Sequence, residues 1–149
     1  MVAAEAAPFA KVGGLADVVG SLPMALEKLS CDVRVILPLY GAIDRQIFGS
    51  KKIFENIEIL SDGKKEKINV WQAKFPGSKV ICYFIESKYF QANEIYRPED
   101  DNTPGFSFFS KAAVEILPII KFKPDIVHCH DFHTALIIDL RKVKSDDFF

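Results

Sequence analysis

Residues 32–38, Asp-Val-Arg-Val-Ile-Leu-Pro, place the strongest limit on the fold. The run is short, apolar and rich in β-branched residues, and a proline stops it. Such a run suits a strand of a parallel sheet buried on both faces. The residues before it have a different period. Leu15, Val18, Val19, Leu22, Leu26 and Leu29 recur at steps of three and four, which predicts an amphipathic helix starting near Gly14. Pro23 should kink that helix or mark a local adjustment. Val2 to Ala4 read as the tail of a strand. Further on, residues 52–60, 67–75 and 79–86 read as strands joined by the turn-forming Ser61–Lys65 and Pro76–Ser78 stretches, an antiparallel excursion or edge. Residues 106–121 read as a helix until Pro118 bends or ends it. Residues 123–131 give another buried strand, and 132–143 a helix that starts at its end. Helices and strands alternating in this order predict an α/β fold with a Rossmann-like open sheet of the doubly wound type.

Composition narrows the class. The chain has 149 residues, 49% hydrophobic and 26% charged, with a formal net charge of −1, which fits one domain with a substantial core. The balanced charge supplies no basic field, so nucleic acid is not an expected partner. No window reaches the ~18 consecutive apolar residues of a membrane span, and no charged segment precedes the apolar residues at the N-terminus as in a secretory signal. Three widely spaced cysteines, Cys31, Cys82 and Cys129, suit reduced thiols in a cytoplasmic protein better than a disulfide framework.

In doubly wound sheets ligands bind beyond the carboxyl ends of the strands, and two unusual stretches fall there. The first is Lys11-Val-Gly-Gly-Leu-Ala-Asp17. Paired glycines allow close approach of a ligand to the backbone, or dihedrals that a Cβ forbids. The following helix start offers unpaired N–H groups and partial positive charge, and Lys11 adds a full charge, so a phosphate would be welcome. The same residues could equally make a tight strand-to-helix turn with a solvated lysine. The stretch is neither a GxGxxG fingerprint nor a P-loop. The second is His128-Cys-His-Asp-Phe-His133. It admits a metal site, a structural role in which Asp131 caps the next helix, or a polar sugar or acid–base site. Alternation along a strand places His128 and His130 on one face and Cys129 on the other, which scatters the donors and disfavours metal.

Residues 5–26, 32–43, 106–117 and 123–137 together resemble the N-terminal domain of bacterial glycogen synthases and plant starch synthases, retaining glycosyltransferases of family 5. The resemblance runs in register over essentially the whole chain. Lys-x-Gly-Gly-Leu-Ala-Asp followed far downstream by His-x-His-Asp-aromatic-His is its specific signature. It implies the N-terminal half of a GT-B fold and transfer of glucose from ADP-glucose, or UDP-glucose, to the non-reducing end of an α-1,4-glucan with retention. It calls for no cofactor and no metal. It assigns Lys11, Gly13, Gly14 and Asp17 to the donor, Asp131 to catalysis beside the transferred glucose, and Glu5, Phe132 and His133 to the acceptor side. Departures from the family pattern are Ala4 before the glutamate, Pro104-Gly105-Phe106 at the head of the long helix, and Phe132 where tryptophan is usual. Residues 1–149 are expected to form an incomplete N-terminal domain, without the C-terminal domain that completes the donor site, and to be inactive alone. A non-catalytic module that binds α-glucan or nucleotide sugar is the alternative function, and a metal-dependent hydrolase a third.

Overall fold

The computed structural model describes residues 1–96 and 102–143, with side chains described as far as residue 140. Helix α1 (Gly14–Lys28) leads into β1 (Arg34–Pro38), followed by β2 (Lys51–Ser61), β3 (Lys64–Lys74) and β4 (Ile81–Glu86), then α2 (Thr103–Ile119) and α3 (Leu136–Val143). The four strands form one sheet in the order β1-β4-β3-β2. Strands β1 and β4 are parallel, with Ile36 opposite Tyr83, while β3 runs antiparallel to both β4 and β2. The open α/β sheet and the antiparallel excursion are as expected.

Local chemistry explains the hairpin. Asp62 and Gly63 link β2 to β3 with φ of 50° and 74°, the paired positive values that an Asp-Gly turn adopts readily. Strand β2 is irregular near Asn56 (φ 54°), whose N–H donates to Asn69 Oδ1 at 2.9 Å.

Beyond β1 the sheet is extended by two pieces too short to be strands. Ala3 N–H donates to Ile36 O, and Ile36 N–H donates to Met1 O. On its other side Val2 N–H donates to His128 O, and His130 N–H donates to Val2 O. Residues 1–3 therefore lie in parallel between β1 and residues 128–130. The buried strand expected over 123–131 reduces to a single bridge at Cys129, with Ile126 80% exposed. Its backbone meets the sheet only across residues 1–3, so no regular ladder can build.

The buried face of α1 also differs from the leucine–valine stripe. Ala16, Val19, Gly20 and Pro23 are buried, whereas Val18 and Leu29 are exposed. The helix approaches its neighbours through small residues, and the larger side chains flank that contact. It continues through Pro23. Helix α2 starts at Thr103, three residues earlier than the periodicity suggests, because Pro104 fits the first turn where no N–H partner is needed. It runs through Pro118 to Ile119 and packs on β2 and β4. The helix expected over 132–143 opens instead as a 3-10 turn (Phe132–Thr134), and α3 begins only at Leu136.

Aromatic contacts seat the loop before α1. Phe9 meets Phe48, Phe75 and Phe84 edge-on, with centroids 4.7, 4.9 and 5.1 Å away. Such pairs add about 0.5–1.5 kcal/mol each beyond burial, so residues 6–10 are anchored on the sheet just ahead of Lys11.

Candidate functional site

Residues 1–3, β1 and residues 128–130 run parallel, and their carboxyl ends deliver Glu5, Tyr40 and Asp131 to the same side of the sheet. The chain after Glu5 closes a small loop in which Ala6 and Ala10 exchange both backbone hydrogen bonds at 3.0 Å. Lys11 to Gly13 then lead into α1.

Glu5 is 3% exposed. Its Oε2 accepts the N–H groups of Val12 (2.6 Å) and Gly13 (2.9 Å), and its Oε1 accepts the Tyr96 hydroxyl at 2.6 Å. Burial alone would raise the pKa of this carboxyl. The hydrogen bonds from Tyr96, Gly13 and Val12 outweigh burial and hold it below the ordinary glutamate value. Burial and the bond to the Glu5 carboxylate push the Tyr96 phenol up.

Gly13 has φ −129° and ψ −165°, ordinary extended backbone, and as the N-cap residue it has no side chain with which to cap the helix. A Cβ added at Gly13 or Gly14 would meet nothing within 4 Å. Neither glycine is therefore required by the turn, which removes the tight-turn explanation for the pair. Both are exposed; the Gly13 N–H is taken by Glu5, and beyond it lies the first turn of α1, whose leading amides have no partner within the helix. Lys11 Nζ rests 2.5 Å from Asp17 Oδ1, both side chains more than half exposed. A pair of this kind is worth about 0.2–1 kcal/mol, so an anion can readily draw Lys11 away.

Asp131 is exposed and has φ 58° and ψ −177°, a conformation costing about 1–3 kcal/mol for a residue with a Cβ. Its side chain makes no capping bond to the following turn, so the helix-capping explanation fails. Thr134 keeps the bend in place. Its Oγ1 donates to His130 O at 2.9 Å, and its N–H donates to Asp131 O at 3.3 Å. The Asp131 side chain is left exposed at this bend.

His133 is buried. Its ring stacks on Tyr96 (5.1 Å) and meets Phe106 (4.5 Å) and Phe132 (3.9 Å), while its carbonyl accepts the Ser110 hydroxyl at 3.1 Å. Phe132 is 74% exposed, an uncovered ring at the rim. His128 and His130 stack at 4.1 Å, on one face as alternation requires. Burial and the neighbouring His128 pull the His130 imidazole down to about 4, and burial likewise lowers His133 against the pull of Asp131 and Glu5. Among the described residues, no three His, Cys, Asp or Glu side chains converge as a metal ion would need.

The structure thus joins Glu5, the Lys11–Gly14 loop and His133 through Tyr96, a residue that no periodicity or motif singles out. A cavity of about 470 Å³ opens beside this junction, lined by Lys11, Val12, Tyr40, Ile43, Asn93 and Tyr96. Gly41 shapes its wall. Its N–H donates to Phe90 O and Ala92 O, and a Cβ there would fall 2.3 Å from Gln91 O. Only glycine lets residues 91–93 lie this close to β1. A larger cavity of about 640 Å³, walled largely by apolar residues such as Leu26, Val114, Leu117 and Phe122, lies away from this junction and holds none of the motif residues except His128.

An open α/β sheet with a glycine-paired helix start and a carboxylate–imidazole cluster at its strand ends belongs to the class of folds whose ligand sites lie beyond the carboxyl ends of the strands. Comparison with known proteins makes the class specific. The family model described as starch synthase catalytic domain matches residues 1–149. Glycogen synthase 1 of Geobacter metallireducens is 42% identical, over 92% of this chain and 28% of its own length. Glycogen synthase 1 of Geobacter sulfurreducens is 41% identical, over 99% and 31%. Among solved structures, the catalytic domain of starch synthase IV from Arabidopsis thaliana, bound to ADP and acarbose, superposes with a TM-score of 0.86 at 38% identity, covering 95% of this chain and 29% of that one. The chain belongs to the starch synthase catalytic domain family, with the Rossmann-like sheet of the N-terminal half of a GT-B transferase. It spans less than a third of the length of the curated relatives it matches.

Proposed function

We propose that residues 1–149 form the N-terminal wall of the active site of a retaining hexosyltransferase, which moves glucose from ADP-glucose to the non-reducing end of an α-1,4-glucan. The observation that carries the reading is the bare backbone at Gly13 and Gly14, which nothing in the fold requires and which leaves room at a helix start beside Lys11. A diphosphate fits there. The amide groups and the partial charge of α1 favour its negative oxygens, and Lys11 can leave Asp17 to meet them. The names of the relatives, and the ADP and acarbose in the starch synthase IV structure, support a nucleotide donor and a glucan acceptor. ADP-glucose rather than UDP-glucose is part of this proposal, as is a cytoplasmic setting.

The roles follow from the chemistry. Transfer leaves negative charge on the departing diphosphate, and groups already aimed at it lower the barrier. Lys11, Gly13 and Gly14 serve the donor there, and Asp17 sits near the nucleotide and holds Lys11 between turnovers. Asp131, exposed at its bend, faces the transferred glucose. Phe132 offers a ring for a sugar to stack on at the acceptor side, with His133 behind it and Glu5 close by. Residues 1–149 alone supply one wall of a site that must exclude water, and by themselves they do not turn over.

The test is transfer of labelled glucose to glycogen by the full protein carrying this chain, with ADP-glucose and UDP-glucose in parallel, and by residues 1–149 alone. Transfer from ADP-glucose by the full protein only, lost in Asp131→Ala, is expected. Binding without transfer would replace the enzyme with a glucan- or nucleotide-sugar-binding module. Full activity in Asp131→Ala would remove Asp131 from the reaction.

A further inference from the structure

Residues 11–14 have almost nothing to hold them. Val12 is 63% exposed, a Cβ at Gly13 or Gly14 would touch nothing within 4 Å, and the N-cap residue Gly13 has no side chain of its own to cap α1. Apart from the exposed Lys11–Asp17 pair, what fixes the loop among the described residues is one buried oxygen, Glu5 Oε2, taking two consecutive amides. These bonds orient the peptide planes on either side of Val12, and so fix where Lys11 and the first turn of α1 point. The other oxygen of Glu5 takes the Tyr96 hydroxyl. Tyr96 stacks on His133, two residues after Asp131, and closes a segment docked against Gly41. A carboxylate whose oxygens both serve internal donors is built to position a loop.

We propose that Glu5 is the positioning residue of the Lys11–Gly14 loop and that Tyr96 is its latch, joining the donor loop to the segment that bears Asp131. This deepens the donor-binding reading above and rests on it. With Tyr96 seated, the carboxylate is fixed and the loop stands ready. With the hydroxyl gone, the carboxylate can turn, and the two amides exchange with water. Glu5 acts through the loop and needs no contact with the acceptor.

Tyr96→Phe keeps the ring, the stacking and the packing, and removes only the hydroxyl. In the full protein, two readouts decide. Hydrogen exchange at the Val12 and Gly13 amides should accelerate about tenfold, the lower end for losing a hydrogen bond to a charged group. The KM for ADP-glucose should rise by a similar factor, with kcat and the KM for glycogen within about twofold, because the loop binds donor and leaves the reacting atoms alone. Glu5→Gln, which keeps an oxygen for the amides and an NH2 for the tyrosine oxygen, should fall between the wild type and Glu5→Ala in both readouts. Unchanged amide exchange in Tyr96→Phe overturns the latch, as does a fall in kcat at constant KM. If the unmodified protein transfers no glucose, the transferase reading fails by itself, and amide exchange then decides the latch alone.

Discussion

An alanine at position 20 would gain helix propensity and lose room. In a helix interior the change from glycine is worth about 0.8–1 kcal/mol in favour of alanine. At Gly20, however, the new Cβ would fall 2.6 Å from the carbonyl oxygen of Ala7, 3.1 Å from its Cβ and 3.3 Å from its carbonyl carbon. The first contact is close to 1 Å short of the roughly 3.5 Å at which non-bonded atoms rest comfortably. Neither side yields easily. Ala7 N–H is bonded to Ala16 O at 2.9 Å, Ala6 and Ala10 close the loop with a pair of bonds, and Phe9 is wedged among three aromatic rings. Overpacking of this kind costs about 1–3 kcal/mol, so, with a 2.6 Å contact placing the cost in the upper part of that range, the steric loss should exceed the propensity gain and leave a net destabilisation of up to about 2 kcal/mol. For a chain of this size that is a fall in Tm of up to roughly 8 °C. Gly14→Ala, in the same helix, is the control: its Cβ meets nothing, and its stability should stay within about 0.5 kcal/mol of the original. Urea unfolding of the two variants beside the parent gives the comparison. A Gly20→Ala variant as stable as Gly14→Ala would refute the close packing of α1 on residues 6–10.

Lys11→Ala should weaken donor binding while Tm hardly moves, since the exposed pair with Asp17 contributes only about 0.2–1 kcal/mol; a large loss of stability with normal donor affinity would make the loop structural. Asp131→Gly should raise the urea midpoint by relieving up to about 1–3 kcal/mol of backbone strain, while transfer is lost with the carboxylate; a lower midpoint would show that the bend is not strained. Folded His130 titrates near 4 against 6.5 for the free side chain. As pH falls from 6.5 towards 4 the unfolded chain binds the proton first, so stability should be full above 6.5 and decline through that window. His133 adds in the same direction, and His130→Gln should flatten the profile; an unchanged slope in that variant would refute the burial of a neutral imidazole.

Much of this architecture is written locally. The Asp62-Gly63 turn, the start of α1 at Gly14 and the buried run of β1 each depend on a few neighbouring residues, because backbone preference and hydrophobic period act over one or two turns of chain. The same locality marks Lys11, Gly13, Gly14 and Asp131 as candidates, since each sits in a compact motif at an element boundary. Assembly decided the rest. Residues 123–131 have the composition of a buried strand, yet become a single bridge at Cys129, because a ladder needs backbone partners that only the whole sheet provides. The stripe of large side chains on α1 gave way to Ala16, Val19, Gly20 and Pro23, because close approach of the loop at Ala7 favours small residues. Tyr96 meets Glu5 across 91 residues, and no local preference reaches that far. A tyrosine and a glutamate in a sequence carry no sign that they will meet. Folding the segment onto Gly41 brings the hydroxyl to the carboxylate, and burying that carboxylate strengthens its three hydrogen bonds, two of which hold the loop at Val12 and Gly13.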